Sequence, residues 1–174
     1  FLKNRTDKKT VDLCSGSGAI AVALDKISGA KVTAVEIDET AFSYLETNVK
    51  ENNSSVKPVM ADALEICDTF ADGELDLIVS NPPYIKSADI ETLQKEVRLE
   101  PRLALDGGED GCDFYREIVS RWSRKLKKGG ALAFELGENQ ADAVKALMTD
   151  KGFSDFKISL DFGGVQRAII GTLL

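Results

Sequence analysis

Short β-branched segments alternate with segments of helical spacing along most of the sequence, and this alternation constrains the fold more than any other feature. The strand-like segments are Thr10–Leu13, Lys31–Glu36, Val56–Met60, Leu75–Ser80 and Ala131–Glu135. The helical segments are Ala19–Ile27, Ala41–Asn52 and Phe114–Lys127. Repeated strand-then-helix units predict a parallel sheet that is covered by helices on both faces and joined by right-handed crossovers.

The C-terminal part of the sequence departs from this alternation. Phe153–Leu160 and Gln166–Leu173 have the pattern of two strands, joined by a tight turn at Phe162-Gly163-Gly164 without an intervening helix. We therefore predict an α/β fold, namely a doubly wound, mostly parallel, seven-stranded sheet that ends in an antiparallel hairpin. Residues 85–112 contain no clear strand and are interpreted as a long ordered insertion, which is often functional.

The composition excludes several classes of site. The 174 residues include no histidine, which removes the commonest general base, the usual catalytic triads and most zinc sites. Cys14, Cys67 and Cys112 show no metal or redox spacing, so we expect no metal site and three reduced thiols in the cytoplasm. The net charge of −7 argues against direct binding of nucleic acid, which depends on neutralising phosphates.

One local cluster of basic residues stands out against the acidic background. Its members are Arg121, Arg124, Lys125, Lys127 and Lys128. We interpret the cluster as the last turns of a helix that Gly129-Gly130 terminates, because cations there complement the helix dipole. The sequence contains no run of about 18 apolar residues, so neither a membrane span nor a membrane partner is expected.

A glycine-rich loop follows the first predicted strand and opens the first predicted helix. Its sequence is Val11-Asp12-Leu13-Cys14-Ser15-Gly16-Ser17-Gly18-Ala19-Ile20-Ala21. Glycines let backbone N–H groups approach a ligand, and the N-terminus of a helix favours an anionic group. The pattern Gly16-x-Gly18-x-x-Ala21 also fits the dinucleotide fingerprint, so the loop alone predicts a cofactor without choosing one.

Two further positions favour a cofactor that contains adenosine. Glu36 ends the second strand, 18 residues after Gly18, where a carboxylate can accept hydrogen bonds from both ribose hydroxyls. Asp62 and Ala63 follow the third strand, at the height expected for an adenine ring. A carboxylate there can accept a hydrogen bond from the adenine amino group, and a small residue leaves room for the ring.

The fourth strand ends abruptly at Asn81-Pro82-Pro83-Tyr84. We expect this strand beside the first, so that its carboxyl end faces the crevice where such sheets bind ligands. The two prolines stiffen the loop and donate no backbone hydrogen bond, while Asn81 adds a side-chain carbonyl. Two fixed acceptors match the two N–H bonds of a primary amide or an exocyclic amine and aim its lone pair at an electrophilic methyl group. Tyr84 offers an aromatic face to a flat group.

These residues together resemble the class I S-adenosylmethionine-dependent methyltransferases that act on nitrogen, which share [D/N]-P-P-[Y/F/W] and a D-x-G-x-G-x-G loop. The closer resemblance is to the PrmC/HemK family of protein-glutamine N5-methyltransferases. Glu100–Gly111 is similar to the family's E-P-x-x-A-L-x-G-G-x-D-G stretch, which Asp113–Arg116 continues, and Gly164–Arg167 is similar to its final hairpin. Cys14 departs from the pattern, because the family usually has glycine there and the loop must accept a Cβ.

The resemblance implies transfer of a methyl group from S-adenosylmethionine, which becomes S-adenosylhomocysteine, to the glutamine of the GGQ motif in peptide chain release factors. The implied cofactor-binding residues are Cys14, Ser15, Gly16, Ser17, Gly18, Glu36, Ile37, Asp62, Ala63 and Asn81. Catalysis is expected from Asn81 and Pro82, and substrate binding from Asn81, Pro82, Pro83 and Tyr84. We expect residues 1–174 to be the catalytic domain of a cytoplasmic monomer, without the helical N-terminal domain and P-R-P-E-T linker of the family.

The residues leave three alternatives open. An N6-adenine methyltransferase of DNA or RNA would use N-P-P-Y equally well, although the net charge of −7 and the segment 100–116 argue against it. A nicotinamide-dependent dehydrogenase would explain the glycine loop but neither N-P-P-Y nor the terminal hairpin. A cofactor-binding module without activity would keep the same loop.

Overall fold

Seven strands form one sheet in the computed structural model, which describes residues 1–4 and 6–174. They are β1 (Lys9–Leu13), β2 (Lys31–Glu36), β3 (Lys57–Met60), β4 (Leu75–Ser80), β5 (Leu126–Glu135), β6 (Phe153–Leu160) and β7 (Gln166–Leu173). Their order across the sheet is β3-β2-β1-β4-β5-β7-β6. The first five strands pair in parallel, whereas β7 is antiparallel to both β5 and β6. The predicted sheet and its closing hairpin are therefore confirmed.

Five helices accompany the sheet in the described part of the chain, and α1 and α2 each have one recognisable capping residue. They are α1 (Ala19–Ser28), α2 (Glu39–Glu51), the single turn α3 (Arg102–Leu105), α4 (Asp113–Trp122) and α5 (Ala141–Asp150). The helix α1 ends at Gly29, whose left-handed conformation (φ 64°) is typical of a glycine C-cap. The helix α2 begins after Asp38, whose side chain accepts a hydrogen bond from the Ala41 N–H at 2.8 Å.

Apolar side chains pack against both faces of the sheet. On one face, Trp122 and Ile118 of α4 and Met148 of α5 are fully buried in a large cluster. On the other face, Leu45 of α2 is the largest fully buried side chain of a second cluster. The alternation of side chains along β4 supplies both clusters, as expected for a strand that is buried on its two sides.

The structure corrects the predicted boundary between the fourth helix and the fifth strand. The helix α4 ends at Trp122 rather than Lys127, and β5 begins at Leu126 rather than Ala131. The physical reason is tertiary pairing, since Leu126 pairs with Leu75 of β4 and the Lys127 ammonium lies 2.7 Å from the Asp76 carboxylate. The interpretation of Lys127 and Lys128 as helix-terminal cations, with Gly129-Gly130 as the helix stop, was therefore wrong.

The other basic residues of that cluster take part in local ion pairs. Arg121 pairs with Glu117 within α4, and Arg124 pairs with Asp68. The Lys125 ammonium is buried and donates to the Phe70 carbonyl at 2.8 Å. These contacts favour a structural role for the cluster over a role in binding phosphate.

Two further segments lie outside the sheet, namely α5 and residues 85–112. The helix α5 was not predicted from the sequence, whereas residues 85–112 form short turns and α3 without a named strand, as expected. Within that insertion, Ile85 and Asp106 form an isolated parallel bridge. Among the residues that the structure describes, none of the helices is long and apolar enough to cross a membrane.

Candidate active site

A cavity of about 670 Å³ opens where β1, β2 and β4 reach their carboxyl ends. All of the predicted site residues except Gly18 line this cavity. The structure therefore brings together the glycine loop, the end of β2, the turn after β3 and the N-P-P-Y loop. The cavity is also lined by residues that the sequence analysis did not predict, among them Val97, Glu100, Pro101, Leu103, Ala104 and Phe114.

The glycine loop turns sharply between β1 and α1 through three left-handed residues. These are Cys14 (φ 56°), Gly16 (φ 54°) and Gly18 (φ 80°). A Cβ at Gly16 would meet open space, whereas a Cβ at Gly18 would clash with the side chain of Leu45 in α2. Gly18 thus starts α1 and lets α2 pack closely, and its role in cofactor binding stays a prediction.

Cys14 has a left-handed backbone conformation, which residues other than glycine rarely adopt. The loop accepts the Cβ of Cys14, as expected from the sequence, at the expense of local strain. Burial of the thiol, together with the nearby charge of Glu36, raises the pKa of Cys14 to about 12. The thiol is therefore neutral at physiological pH and acts as a small apolar part of the cavity wall.

Glu36 joins the glycine loop to the end of β2. One carboxylate oxygen accepts the Gly16 N–H at 2.7 Å, and the other accepts the N–H groups of Ile37 and Asp38, both at 2.9 Å. A carboxylate offers about four acceptor sites, so these bonds leave room for about one more donor. The predicted ribose contact of Glu36 stays a prediction, and two ribose hydroxyls would have to share or displace an existing bond.

Asp12 is a buried carboxylate beneath the glycine loop, with 1% of its surface exposed. Among the described residues neither of its oxygens has a hydrogen-bond partner. Desolvation raises the pKa of Asp12 to about 7, although the nearby Ala21 N–H and Ser15 hydroxyl lower it without reaching hydrogen-bond geometry. The segment below the loop therefore contains a titratable carboxyl group whose charged form is stabilised by no hydrogen bond among the described residues.

The turn after β3 also contributes an acidic residue, Asp62, to the cavity lining. The Asp62 carboxylate accepts the Leu64 N–H at 2.7 Å, which holds the turn closed. Ala63 is buried, and its carbonyl accepts the indole N–H of Trp122 at 2.8 Å. Both residues line the cavity, and their contacts with adenine stay predictions.

The N-P-P-Y loop combines one exposed residue with two buried prolines. Asn81 is exposed and lines the cavity, whereas Pro82 and Pro83 are buried beneath it. The Ser80 hydroxyl, fully buried at the end of β4, donates to the Leu13 carbonyl at 2.8 Å. That bond ties the start of the N-P-P-Y loop to the start of the glycine loop.

Tyr84 ends the loop with its ring half-buried against the cavity. Its hydroxyl donates to the Glu135 carboxylate at 3.4 Å. Burial, followed by the charge of Glu135, raises the pKa of Tyr84, so the phenol stays protonated. A neutral phenol leaves the ring free to pack against an uncharged planar group.

The insertion after the loop holds its backbone from behind. The Ile85 N–H donates to the Leu105 carbonyl at 2.9 Å, and the Gly107 N–H donates to the Ile85 carbonyl at 2.8 Å. A Cβ at Gly107 would lie 2.7 Å from the Tyr84 Cα and 2.9 Å from the Pro83 carbonyl oxygen. Glycine at 107 is thus required for this close approach.

Comparison with known proteins agrees with this geometry. The family described as methyltransferase small domain matches residues 1–103 of the sequence. The chain belongs to this family. Its fold is also that of a crystal structure of a methyltransferase from Pyrococcus furiosus, with a TM-score of 0.74, 24% identity and coverage of 99% of this chain and 77% of that one. The predicted class I methyltransferase fold is therefore confirmed.

Curated relatives support the closer resemblance noted in the sequence. The release factor glutamine methyltransferase of Geobacter sulfurreducens is 42% identical over 165 residues, which cover 94% of this chain and 57% of the relative. That of Thermodesulfovibrio yellowstonii is 34% identical over 171 residues, which cover 97% and 61%. The chain thus spans about three fifths of the length of these two relatives.

Proposed function

We propose that this chain is the catalytic domain of an S-adenosylmethionine-dependent enzyme that methylates the GGQ glutamine of peptide chain release factors. The observation that carries the proposal is that Asn81, which is exposed, lines the same cavity as the glycine loop and Glu36. The similarity to release factor glutamine methyltransferases over nearly the whole chain supports the choice of substrate.

The residues of the cavity fit S-adenosylmethionine. Gly16 leaves open space, Glu36 and Asp62 present acceptor oxygens, and Ala63 adds little bulk. In this proposal the segment 14–17 holds the methionine part, Glu36 and Ile37 hold the ribose, and Asp62 and Ala63 contact the adenine. The bound cofactor supplies a methyl group attached to a positively charged sulfur.

Asn81 and Pro82 orient the substrate amide. The side-chain carbonyl of Asn81 and the backbone carbonyl of Pro82 accept the two N–H bonds, which aims the nitrogen lone pair toward the cofactor side of the cavity. The nitrogen would gain a bond to the methyl carbon as the bond between that carbon and sulfur breaks, with its electron pair going to sulfur. The nitrogen becomes positive, and the two carbonyl oxygens stabilise that charge. One N–H proton then leaves to water, so that the methylated amide is neutral.

Tyr84 and the prolines supply the surroundings for this orientation. The half-buried Tyr84 ring, held by Glu135, packs against the flat face of the glutamine amide. Pro82 and Pro83 have restricted φ angles and are buried, so the loop loses little entropy when the substrate binds. We propose a protein partner in the cytoplasm, and the net charge of −7 suits it better than a nucleic acid.

Mass spectrometry of a release factor incubated with the enzyme and S-adenosylmethionine tests the proposal. We expect one added methyl group on the GGQ glutamine. An adenine-containing oligonucleotide, as DNA and as RNA, is the competing substrate in the same assay. Methylation of the oligonucleotide but not of the release factor would favour the adenine methyltransferase instead.

Asn81→Ala tests the proposed catalytic role directly. We expect methyl transfer to fall by about 10²–10³-fold, because one oriented acceptor is lost in the transition state. The affinity for S-adenosylhomocysteine, measured by calorimetry, should change much less. Asn52→Ala, at an exposed position after α2, is the matched control. Full activity in Asn81→Ala would contradict the mechanism.

A further inference from the structure

Gln140 lies directly before α5 and is buried, with 9% of its surface exposed, at the meeting point of three loops. Its side-chain nitrogen donates to the Tyr84 carbonyl at 2.9 Å and to the Gly111 carbonyl at 3.1 Å. Its side-chain oxygen accepts the Gly137 N–H at 2.9 Å and lies 3.2 Å from the Tyr115 hydroxyl. One amide thus connects the N-P-P-Y loop, the insertion and the end of β5.

The neighbours fix the orientation of this amide. Two backbone carbonyls face its nitrogen, and a backbone N–H faces its oxygen, so a flipped amide would lose all three bonds. The Tyr115 hydroxyl donates its proton to the Glu135 carbonyl at 2.9 Å, which holds it beside the same oxygen. Gln140 is therefore a fully bonded connector and not a space-filling residue.

The surrounding glycines leave room for this amide and for little else. A Cβ at Gly111 would lie 2.7 Å from the Gln140 nitrogen, and a Cβ at Gly137 would lie 2.5 Å from its oxygen. The same Cβ at Gly137 would lie 3.0 Å from the Tyr84 ring. The slot thus fixes the Gln140 amide and the Tyr84 residue relative to each other.

We propose that Gln140 is a positioning residue for methyl transfer, which it serves by anchoring the Tyr84 carbonyl and with it the conformation of Asn81–Tyr84. This inference rests on the proposed function of that loop. Gln140 lies outside the cavity lining and touches neither substrate nor cofactor in this proposal. Its effect is on the placement of the two acceptor oxygens, for which a displacement of about 1 Å can cost about 100-fold in rate.

Two substitutions separate this role from simple support of the fold. Gln140→Leu removes every side-chain hydrogen bond, and Gln140→Glu keeps the shape but loses the donor when it is ionised. We expect the Leu variant to lower kcat about 10- to 100-fold at saturating cofactor, with the Kd for S-adenosylhomocysteine changed less than about twofold. Gln166→Glu, at an exposed position outside the insertion and the cavity lining, is the control and should match the wild type.

The pH profile of Gln140→Glu gives a readout that a merely structural role would not produce. Burial and the facing carbonyls favour the protonated acid, which can again donate to the Tyr84 carbonyl. The ratio of its kcat to that of the wild type should therefore fall as the pH rises from about 6 to about 9. The same ratio for Gln140→Leu should stay constant. A flat ratio for the Glu variant would overturn the proposal.

A measurement without catalysis distinguishes failure of this inference from failure of the proposed function. The sequence has three tyrosines, Tyr44, Tyr84 and Tyr115, which fluorotyrosine labelling and ¹⁹F NMR resolve after assignment with Phe variants. In Gln140→Leu we expect the Tyr84 resonance to shift or broaden while that of exposed Tyr44 stays unchanged. An inactive wild type would reject the proposed function alone, whereas an unmoved Tyr84 signal or an unchanged kcat would reject the role of Gln140.

Discussion

At the scale of single residues, the buried carboxylate of Asp12 destabilises the folded state when it is ionised. Its pKa of about 7 in the folded chain lies above the unfolded value near 3.8, so the folded state binds the proton more tightly. The destabilisation is therefore absent below about pH 4, grows as the pH rises toward 7 and is complete above it. Asp12→Asn removes the charge while keeping the shape.

We expect Asp12→Asn to gain stability relative to the wild type as the pH rises from about 4 to about 8, by on the order of 4 kcal/mol at most. Urea unfolding of both proteins across this range measures the difference. The Asp7→Asn variant is the control, because Asp7 is exposed and the pKa of Asp7 is lowered by its pairing with Lys31. A difference between Asp12→Asn and the wild type that does not vary with pH would contradict the buried charge.

Glu36 is predicted to act on cofactor affinity by two routes. Glu36→Ala removes the proposed ribose acceptor and also the carboxylate that holds the Gly16 N–H. We expect the Kd for S-adenosylhomocysteine to rise at least about tenfold, since each hydrogen bond to a charged group is worth about 1.5–3 kcal/mol. Calorimetry measures this value, with Glu39→Ala at the exposed start of α2 as control. An unchanged Kd would count against both routes.

Site residues that lie in a short sequence motif could be predicted from the sequence. Residues whose role depends on a hydrogen-bond partner far along the chain could not. Glu36 ends one strand and Asn81 follows another, each within a recognisable pattern, and both line the cavity. Ser80 and Gln140 could not be predicted, because their partners lie 67 and 56 positions away, at Leu13 and Tyr84. A buried polar side chain beside a motif is the signal that could have singled out Ser80.

At the scale of elements, the boundary between α4 and β5 shows where periodicity misleads. The apolar spacing of α4 continues to Leu126, which is apolar because it is buried beside Leu75 of β4 and not because the helix extends. The register between β4 and β5 is also irregular at Leu75, and Gly129 is left-handed (φ 72°). Only the neighbouring strand makes this irregular start of β5 favourable.

The insertion 85–112 is expected to act as a clamp on the N-P-P-Y loop. In Gly111→Ala the new Cβ would lie 2.5 Å from the Tyr84 carbonyl oxygen, at a residue with φ of 78°. We expect a loss of more than about 2 kcal/mol in unfolding free energy, from steric overlap added to backbone strain. Methyl transfer by the folded variant should also fall.

Gly73→Ala separates backbone strain from steric overlap. Gly73 has a similar φ of 69°, but a Cβ there would meet open space. This variant should lose only about 1 kcal/mol, from backbone strain, and keep its methyl transfer activity. Denaturant unfolding and initial rates measure both effects. Equal losses in the two variants would show that the insertion does not clamp the loop.

At the scale of the whole molecule, one sheet connects two apolar clusters. Leu77 and Ile78 are adjacent in β4 but belong to opposite clusters, so we expect the two faces to unfold together. The candidate site lies at the carboxyl edge shared by both faces. Its geometry therefore depends on the stability of the sheet as one unit.

Leu45→Ala tests this coupling, because Leu45 is fully buried on one face and Trp122, the single tryptophan, is fully buried on the other. We expect a loss of about 2–5 kcal/mol from the lost burial and the remaining cavity. Urea unfolding should show the same shift by tryptophan fluorescence and by far-UV circular dichroism. Leu160→Ala, at a residue that is 61% exposed, should change the free energy of unfolding by no more than about 0.5 kcal/mol with either probe. Loss of helical signal before the Trp122 transition would mean that the face carrying α1 and α2 unfolds separately.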